Sequence, residues 1–182
     1  DYPLLHIRLR RSLGQLQEAL RLCQAWSQRQ AGHSTAWVQQ ASAHLALDQH
    51  TLARQCTQQA LDLQPDNAEA LNLRGMLGRD KGLPTPQALA DFEQAHALAP
   101  SNPYYVSNIA ITLDELGQLA QARPWWQRLL DMPEPHTGQP GYVLLLQAHG
   151  AEQLDDIPRQ KLLLQQATER LPEHFDAWLQ YG

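Results

Sequence analysis

The chain has 182 residues, 43% of them hydrophobic, and its 14 basic and 19 acidic residues give a formal net charge of −5 at pH 7. That hydrophobic content suffices for a folded core, and the negative balance argues against general attraction to nucleic acid or anionic lipid. No apolar run approaches the roughly 20 residues that span a bilayer, and no signal segment opens the chain. The sequence therefore predicts a soluble protein of the cytoplasm or periplasm, with no direct membrane insertion and no nucleic-acid partner.

Small residues recur along the chain at a nearly constant spacing of 34 to 38 residues. The first column of small residues is Ala41, Gly75, Ala110, Ala148 and Gly182. A bulky apolar residue stands four positions before each of them, at Trp37, Leu71, Val106, Leu144 and Trp178. Further columns hold alanine at Ala19, Ala53, Ala88 and Ala122, alanine at Ala60, Ala95 and Ala167, and proline at Pro65, Pro100 and Pro172.

Between these columns the hydrophobic residues follow helical spacing, with two helices in each repeat. Gly14, Gly82 and Gly117 stand at the turns that divide them. Where two antiparallel helices cross closely, only Gly or Ala lets their backbones approach, which explains the small-residue columns. The prolines end one repeat, and Asn67 and Asn102 follow as N-cap residues of the next. Each repeat is therefore predicted to be a helical hairpin.

The columns resemble the tetratricopeptide repeat, in which a large residue, a Gly or Ala, two alanines and a closing proline recur within 34 residues. The resemblance covers nearly the whole chain and implies an all-α fold, a right-handed superhelical α-solenoid of antiparallel helix hairpins. It implies a single array, which we expect to be part of a longer protein. The predicted repeats are 1–33, 34–67, 68–102, 103–134 and 141–174, with a loop at 131–140 and a half repeat at 175–182.

Several repeats depart from the family pattern. In the first repeat Ile7 occupies the small-residue column. In the fourth, Pro124 lies inside the second helix and Leu129 stands where the family prefers Ala, so we expect that helix to be bent or to start late. In the fifth, Asp155 and Gln160 replace the usual Gly and Ala.

The last eight residues, FDAWLQYG, begin a sixth hairpin that lacks its second helix. They place Trp178 and Gly182 in register with Trp37 and Ala41. Because the terminal face of a repeat array needs a polar cap, we expect the natural chain to continue past Gly182 and the half repeat to lie on the fifth repeat.

No motif for catalysis or for a metal or cofactor is apparent, and we expect a protein that is not an enzyme. No two of the 8 histidines have the i, i+4 spacing of a helical metal pair, and no phosphate loop or nucleophile elbow is present. Cys23 and Cys56 are expected to be small buried apolar residues. Of Trp125 and Trp126, one is expected to pack into its hairpin and the other to lie partly on the surface.

In the tetratricopeptide family the first helix of each hairpin lines a concave groove, so the resemblance implies a partner-binding surface there. Helical spacing from the small-residue column selects the side chains of this face. The candidate groove residues are Val38, Ser42, Leu45, Asn72, Met76, Arg79, Tyr104, Ser107, Ile111, Asp114, Glu115, Tyr142, Leu145, His149 and Glu152. They combine apolar and aromatic side chains with an acidic bias towards the C-terminal end, which disfavours a clamp for a C-terminal carboxylate.

We therefore expect a non-catalytic protein–protein interaction scaffold that binds a peptide or helical segment with apolar side chains and some positive charge. Two alternatives stay open. One is a regulatory or substrate-recruiting module of a larger enzyme, of the glycosyltransferase, sulfotransferase or hydroxylase type. The other is a bacterial envelope assembly scaffold in pilus biogenesis or polysaccharide export, since many glutamines and arginines with only two lysines suit a bacterial source.

Overall fold

In a computed structural model of the protein, residues 2–30, 32–79, 85–133 and 140–171 are described. All regular structure in these ranges is α-helical, which confirms the all-α fold class. The helices are α1 Tyr2–Ser12, α2 Leu16–Arg29, α3 Ser34–Ala46, α4 His50–Leu63, α5 Ala68–Gly78, α6 Pro86–Leu98, α7 Pro103–Glu115, α8 Leu119–Asp131, α9 Pro140–Gln153 and α10 Ile157–Arg170. Each predicted full repeat contains one pair of them. The predicted half repeat at 175–182, including Trp178 and Gly182, lies outside the described residues.

The chain divides into two compact units, Asp1–Ala99 and Pro100–Gly182. In the first unit each helix from α1 to α6 packs on the next, and α3 also contacts both α1 and α5. In the second unit α7 to α10 pack in the same consecutive way, and α7 also contacts α9. Within each unit, the first helices of successive hairpins therefore lie side by side. The division into repeats of a single array stays a prediction.

The small-residue columns mark the places where helices meet, as the sequence predicts. Ala41 and Ala110 are fully buried, and a Cβ atom added to Gly75 in α5 would lie only 2.6 Å from Cε1 of the buried Phe92 ring in α6. Ile7 is also fully buried. It belongs to a buried cluster that includes Cys23, and partly buried side chains from α2 and from the end of the next helix pack against this cluster. The first hairpin thus accommodates a larger side chain at this position than the later ones.

At four of the turns between paired helices, one residue adopts a left-handed backbone conformation. Gly14 and Gly117 adopt φ values of 70° and 73° there, and Asp48 and Asp155 adopt 59° and 60°. Asp is among the few residues other than Gly that tolerate this conformation. The departure from the family pattern at Asp155 therefore keeps the same turn geometry.

The predicted N-caps are confirmed at two helices. The side-chain oxygen of Asn67 accepts a hydrogen bond from the backbone N–H of Ala70, and that of Asn102 accepts one from the N–H of Tyr104. Each cap satisfies a donor that the first turn of a helix leaves without an intrahelical partner.

The fourth hairpin differs from expectation at its second helix and at the loop that follows. The helix α8 begins at Leu119 and contains Pro124 in its interior, so the expectation of a late start is wrong. Pro124 is exposed, and its ring costs the helix one backbone hydrogen bond. Of the loop predicted at 131–140, Asp131 is the last residue of α8 and Pro140 is the first residue of α9; residues 134–139 lie outside the described ranges.

A large residue in α8 is matched by a small one in α9. Leu129, which replaces the usual Ala, is fully buried. A Cβ atom added to Gly150 would lie 3.2 Å from Cε3 of Trp126 and 3.8 Å from Cδ2 of Leu129. Trp126 is almost fully buried and Trp125 is half-buried, which confirms the prediction that the pair is divided between core and surface.

An ion pair between a half-buried arginine and a buried aspartate joins the helices of the third hairpin. The carboxylate of Asp91, in α6, accepts hydrogen bonds from Arg74 Nε at 2.8 Å and Arg74 Nη2 at 2.7 Å, and a third from Gln87 Nε2 at 3.0 Å. These bonds to Asp91 raise the pKa of Arg74 above its ordinary value. The bidentate geometry fixes α5 against α6 beside the contact between Gly75 and Phe92.

Both cysteines are buried in the interior of the first unit, as the sequence predicts, and both are free thiols. Burial raises the pKa of the Cys23 thiol to about 12 and that of the Cys56 thiol to about 11. Since the thiolate is the reactive form, both side chains are held in an unreactive state near neutral pH.

Replacing Gly75 by Ala should destabilise the protein by about 1–3 kcal/mol, because the new methyl group would overlap the ring of Phe92. Gly78→Ala on the same helix is the matched control. Its nearest neighbours would be 3.8 Å away, so it should be neutral or stabilising. Urea unfolding followed by circular dichroism measures both, and equal free energies of unfolding for the two variants would contradict the close approach at Gly75.

Gly117→Ala should lower the free energy of unfolding by about 1 kcal/mol, because Ala is strained at a positive φ. Gly117→Asn should cost less, since Asn tolerates the same conformation. Thermal unfolding of the two variants provides the comparison, and an Ala variant at least as stable as the Asn variant would contradict the assigned turn.

An aromatic disulfide reagent at mildly alkaline pH should label Cys23 and Cys56 slowly in the folded protein and rapidly in denaturant. The physical reason is that both thiols are buried and protonated under these conditions. The rate of absorbance change measures the reaction, and equal rates in the two states would show that the thiols are accessible.

Candidate functional site

The candidate residues of the first unit offer little exposed surface. Val38 is fully buried and Ser42 nearly so, which places both in the interior of the unit. Leu45, Asn72 and Arg79 are half-buried. Met76 is 41% exposed, and its Sδ accepts a hydrogen bond from Asn72 Nδ2 at 3.5 Å. On the faces of α3 and α5, Met76 is therefore the main apolar side chain available to a partner among the predicted residues.

A polar chain links the first helices of the first unit. Arg11 Nη1 in α1 donates to Gln39 Oε1 in α3 at 3.4 Å, and Gln39 Nε2 donates to Glu69 Oε1 in α5 at 3.2 Å. Gln39 is only 1% exposed. It is not among the predicted site residues, and α3 contains several other polar residues from which the sequence does not distinguish it. The chain of bonds ties three helices together.

In the second unit, two tyrosines lie at one end of the helix pair α7 and α9. Tyr104 is 38% exposed and Tyr142 is half-buried. Burial and the neighbouring Tyr142 raise the pKa of Tyr104 above its ordinary value. Ser107, one turn further along α7, is buried, and its hydroxyl donates to the carbonyl of Tyr104 at 3.0 Å.

The other end of the same helix pair carries charged side chains around a buried tryptophan. Asp114 Oδ2 accepts a hydrogen bond from Trp126 Nε1 at 2.6 Å. The imidazole of His149 meets the Trp126 ring edge to face, with ring centroids 5.1 Å apart and an interplanar angle of 88°. His149 Nδ1 lies 3.5 Å from Glu152 Oε2. Trp126, from the second helix of the hairpin, thus underlies the first-helix residues, a role that helical spacing alone did not reveal.

We give the name α7/α9 face to the predicted groove residues of these two helices that are not buried. It consists of Tyr104, Ile111, Asp114, Glu115, Tyr142, Leu145, His149 and Glu152. Ile111 and Leu145 are half-buried, and Glu115 and Glu152 are exposed. On each helix, tyrosine and the nearest carboxylate are ten residues apart, or about 15 Å along a helix axis. The face therefore has an aromatic end and an acidic end, with aliphatic side chains on the same helices between them.

Within the described part of the chain, the side chains offer neither a metal site nor a membrane-spanning helix. No group of three or more His, Cys, Asp and Glu residues there could hold a metal ion. Over the same residues, no helix combines the length and apolar character that crossing a membrane would require.

The family model of the tetratricopeptide repeat matches residues 34–67, the second predicted repeat. None of the curated proteins compared with the chain matches it. Many solved structures do match, and those described below have sequence identities of 15–17%, which is evidence about the fold alone.

Three of these structures illustrate the similarity. A thermophilic tetratricopeptide repeat protein of Thermus thermophilus superposes with a TM-score of 0.76 at 17% identity, over 99% of this chain and 95% of that chain. PilF of Pseudomonas aeruginosa gives 0.70 at 16% identity, over 90% and 72%. YrrB gives 0.57 at 15% identity, over 93% and 84%.

Four observations agree on the fold. They are the repeated hairpins, the buried small-residue columns, the matched repeat and the similar solved structures. The sequence match covers residues 34–67, and the structural matches extend the fold over 87% or more of the chain. The chain has the fold of tetratricopeptide repeat proteins, and residues 34–67 match the family model of the repeat.

Proposed function

We propose that the protein is a non-catalytic interaction scaffold whose α7/α9 face binds a peptide or helical segment. The segment carries apolar or aromatic side chains at one end and positive charge at the other. The observation behind this proposal is the separation of the tyrosine pair from the carboxylates along the two helices. A partner segment of about three helical turns spans that separation.

The chemistry of each end supports this assignment. Tyrosine offers a large apolar ring with a polar tip, and such side chains supply much of the binding energy at protein interfaces. At the other end Glu115 and Glu152 are exposed, where carboxylates mainly guide encounter with a cationic partner and select it over an anionic one. Together the two ends define both the chemistry and the direction of the bound segment.

The similarity to solved structures supports peptide binding at the level of the fold. YrrB is described as a tetratricopeptide repeat protein with an unusual peptide-binding site. A scaffold role is also compatible with attachment to a larger enzyme or with an envelope assembly, the two alternatives left open above. In either setting the α7/α9 face would do the binding.

Asp114 is a poor position for testing the charge of the face, because its carboxylate accepts a hydrogen bond from the Trp126 indole. Replacing it would leave that buried N–H without its partner and would perturb the packing as well as the charge. Glu115 and Glu152 are exposed and are the better positions for changing the charge of the face.

The double variant Glu115→Lys and Glu152→Lys should weaken binding of a synthetic amphipathic helix containing leucine and lysine by about tenfold or more at low salt. The same peptide with glutamate in place of lysine should bind the wild-type protein more weakly, because like charges then face each other. Fluorescence anisotropy of labelled peptides measures both affinities.

Glu93→Lys combined with Glu169→Lys is the matched control. Both residues are exposed on second helices, α6 and α10, and the pair changes the net charge by the same amount. The control should bind the cationic peptide as the wild type does, apart from a small general effect. An equal loss in both double variants would mean that the peptide senses net charge only, and would contradict a site on the α7/α9 face.

A further inference from the structure

The helix α1 presents an apolar stripe on its outer side. Leu5, Leu9 and Leu13 are 67%, 53% and 60% exposed, and their spacing of four residues puts them on one side of the helix and of the turn that follows. Ile7, on a different side of α1, is fully buried in the first hairpin. The helix is therefore anchored through one side while an apolar stripe faces away from the core. We call these three leucines the α1 stripe.

Positive charge accompanies the α1 stripe. The helix contains Arg8, Arg10 and Arg11 and no acidic residue, although the whole chain has a net charge of −5. Arg10 donates to Gln15 and Arg11 to Gln39, and Arg8 is exposed between Leu5 and Leu9. α1 thus has the chemistry that the α7/α9 face is expected to bind: apolar side chains next to cationic ones on a helix.

We propose that the α1 stripe of one copy of the protein docks on the α7/α9 face of a second copy. This inference rests on the proposed function, for which it names the partner. Leu5 and Leu13 are separated by about 12 Å along a helix, close to the span between the aromatic and acidic ends of the face. With Leu13 against Tyr104 and Tyr142, Arg8 lies about 7.5 Å further along α1, and its side chain extends towards the carboxylates.

The two surfaces are different patches of the chain, so the contact is heterologous rather than two-fold symmetric. Each copy has one α1 stripe and one α7/α9 face. In an open assembly, a copy uses both surfaces only when it lies between two other copies. The assemblies formed in this way grow longer as the protein concentration rises, unless the row of copies closes into a ring. The charges that guide it are exposed, so it weakens as salt is added.

Charge complementarity favours a second copy over a lipid surface as the partner of α1. A helix that lies in a membrane interface buries its whole apolar face in the lipid. Here Ile7 belongs to the buried core of the first hairpin, and only the narrow α1 stripe is available. The acidic α7/α9 face supplies a partner of matching size and opposite charge.

Two full-length variants test the proposal. Leu5→Gln with Leu13→Gln alters the α1 stripe and leaves the α7/α9 face intact. Glu115→Lys with Glu152→Lys alters the face and leaves α1 intact. At low salt the wild-type protein should self-associate with rising concentration in sedimentation velocity, and each variant alone should associate at least tenfold more weakly.

Mixing the two variants provides the decisive measurement. The intact face of the first variant should accept the intact α1 stripe of the second, which should give a one-to-one dimer that does not extend further. Circular dichroism and thermal unfolding should show both variants folded, because all four replaced side chains are exposed. If the leucine variant unfolds, Arg8→Glu replaces it in the mixture.

Three results would overturn the proposal. A wild-type protein that stays monomeric at all concentrations while still binding the cationic peptide would exclude self-docking and leave the proposed function standing. Self-association without dimer formation in the mixture would place the contact elsewhere. A leucine variant that loses co-sedimentation with vesicles of phosphatidylserine and phosphatidylcholine, with no self-association in the wild type, would make lipid the partner of α1.

Discussion

The close approach of paired helices at small residues is the constraint on which the rest of the structure depends. Where α5 meets α6, the Phe92 ring occupies the space that a side chain at Gly75 would need. The ion pair between Arg74 and the buried Asp91 fixes the same two helices. The same principle applies where α8 meets α9, since Gly150 in α9 leaves room for Trp126 and Leu129 in α8. Small residues thus set how near the helices lie, and the large residues opposite them fill the remaining volume.

This close packing brings the first helices of neighbouring hairpins together within each compact unit. In the second unit α7 and α9 become neighbours, and each carries a tyrosine near its start and carboxylates near its end. Trp126 connects the packing to that surface, because its ring is buried between helices while its indole N–H reaches Asp114. The acidic end of the face is therefore held in position by the core beneath it.

The helix pairs, their approximate limits and the buried alanine columns could be predicted because each follows from local spacing in the chain. Predicting the site was harder. Helical spacing gives the direction of a side chain relative to its own helix, but burial also depends on the neighbouring hairpin. Val38, Ser42 and Ser107 are predicted groove residues but are buried. Gln39 is not a predicted groove residue, yet it joins Arg11 to Glu69 across three helices.

The sequence by itself determined an all-α chain of hairpins with small residues at the crossings, because a 34-residue period and a 3.6-residue helical period are both properties of the local chain. It also determined the distribution of charge, with arginines in α1 and carboxylates at the ends of α7 and α9. Only the tertiary structure decided which of those side chains are exposed and which meet. Asp114, His149 and Trp126 come from three helices, and their contact depends on packing between hairpins that no local pattern encodes.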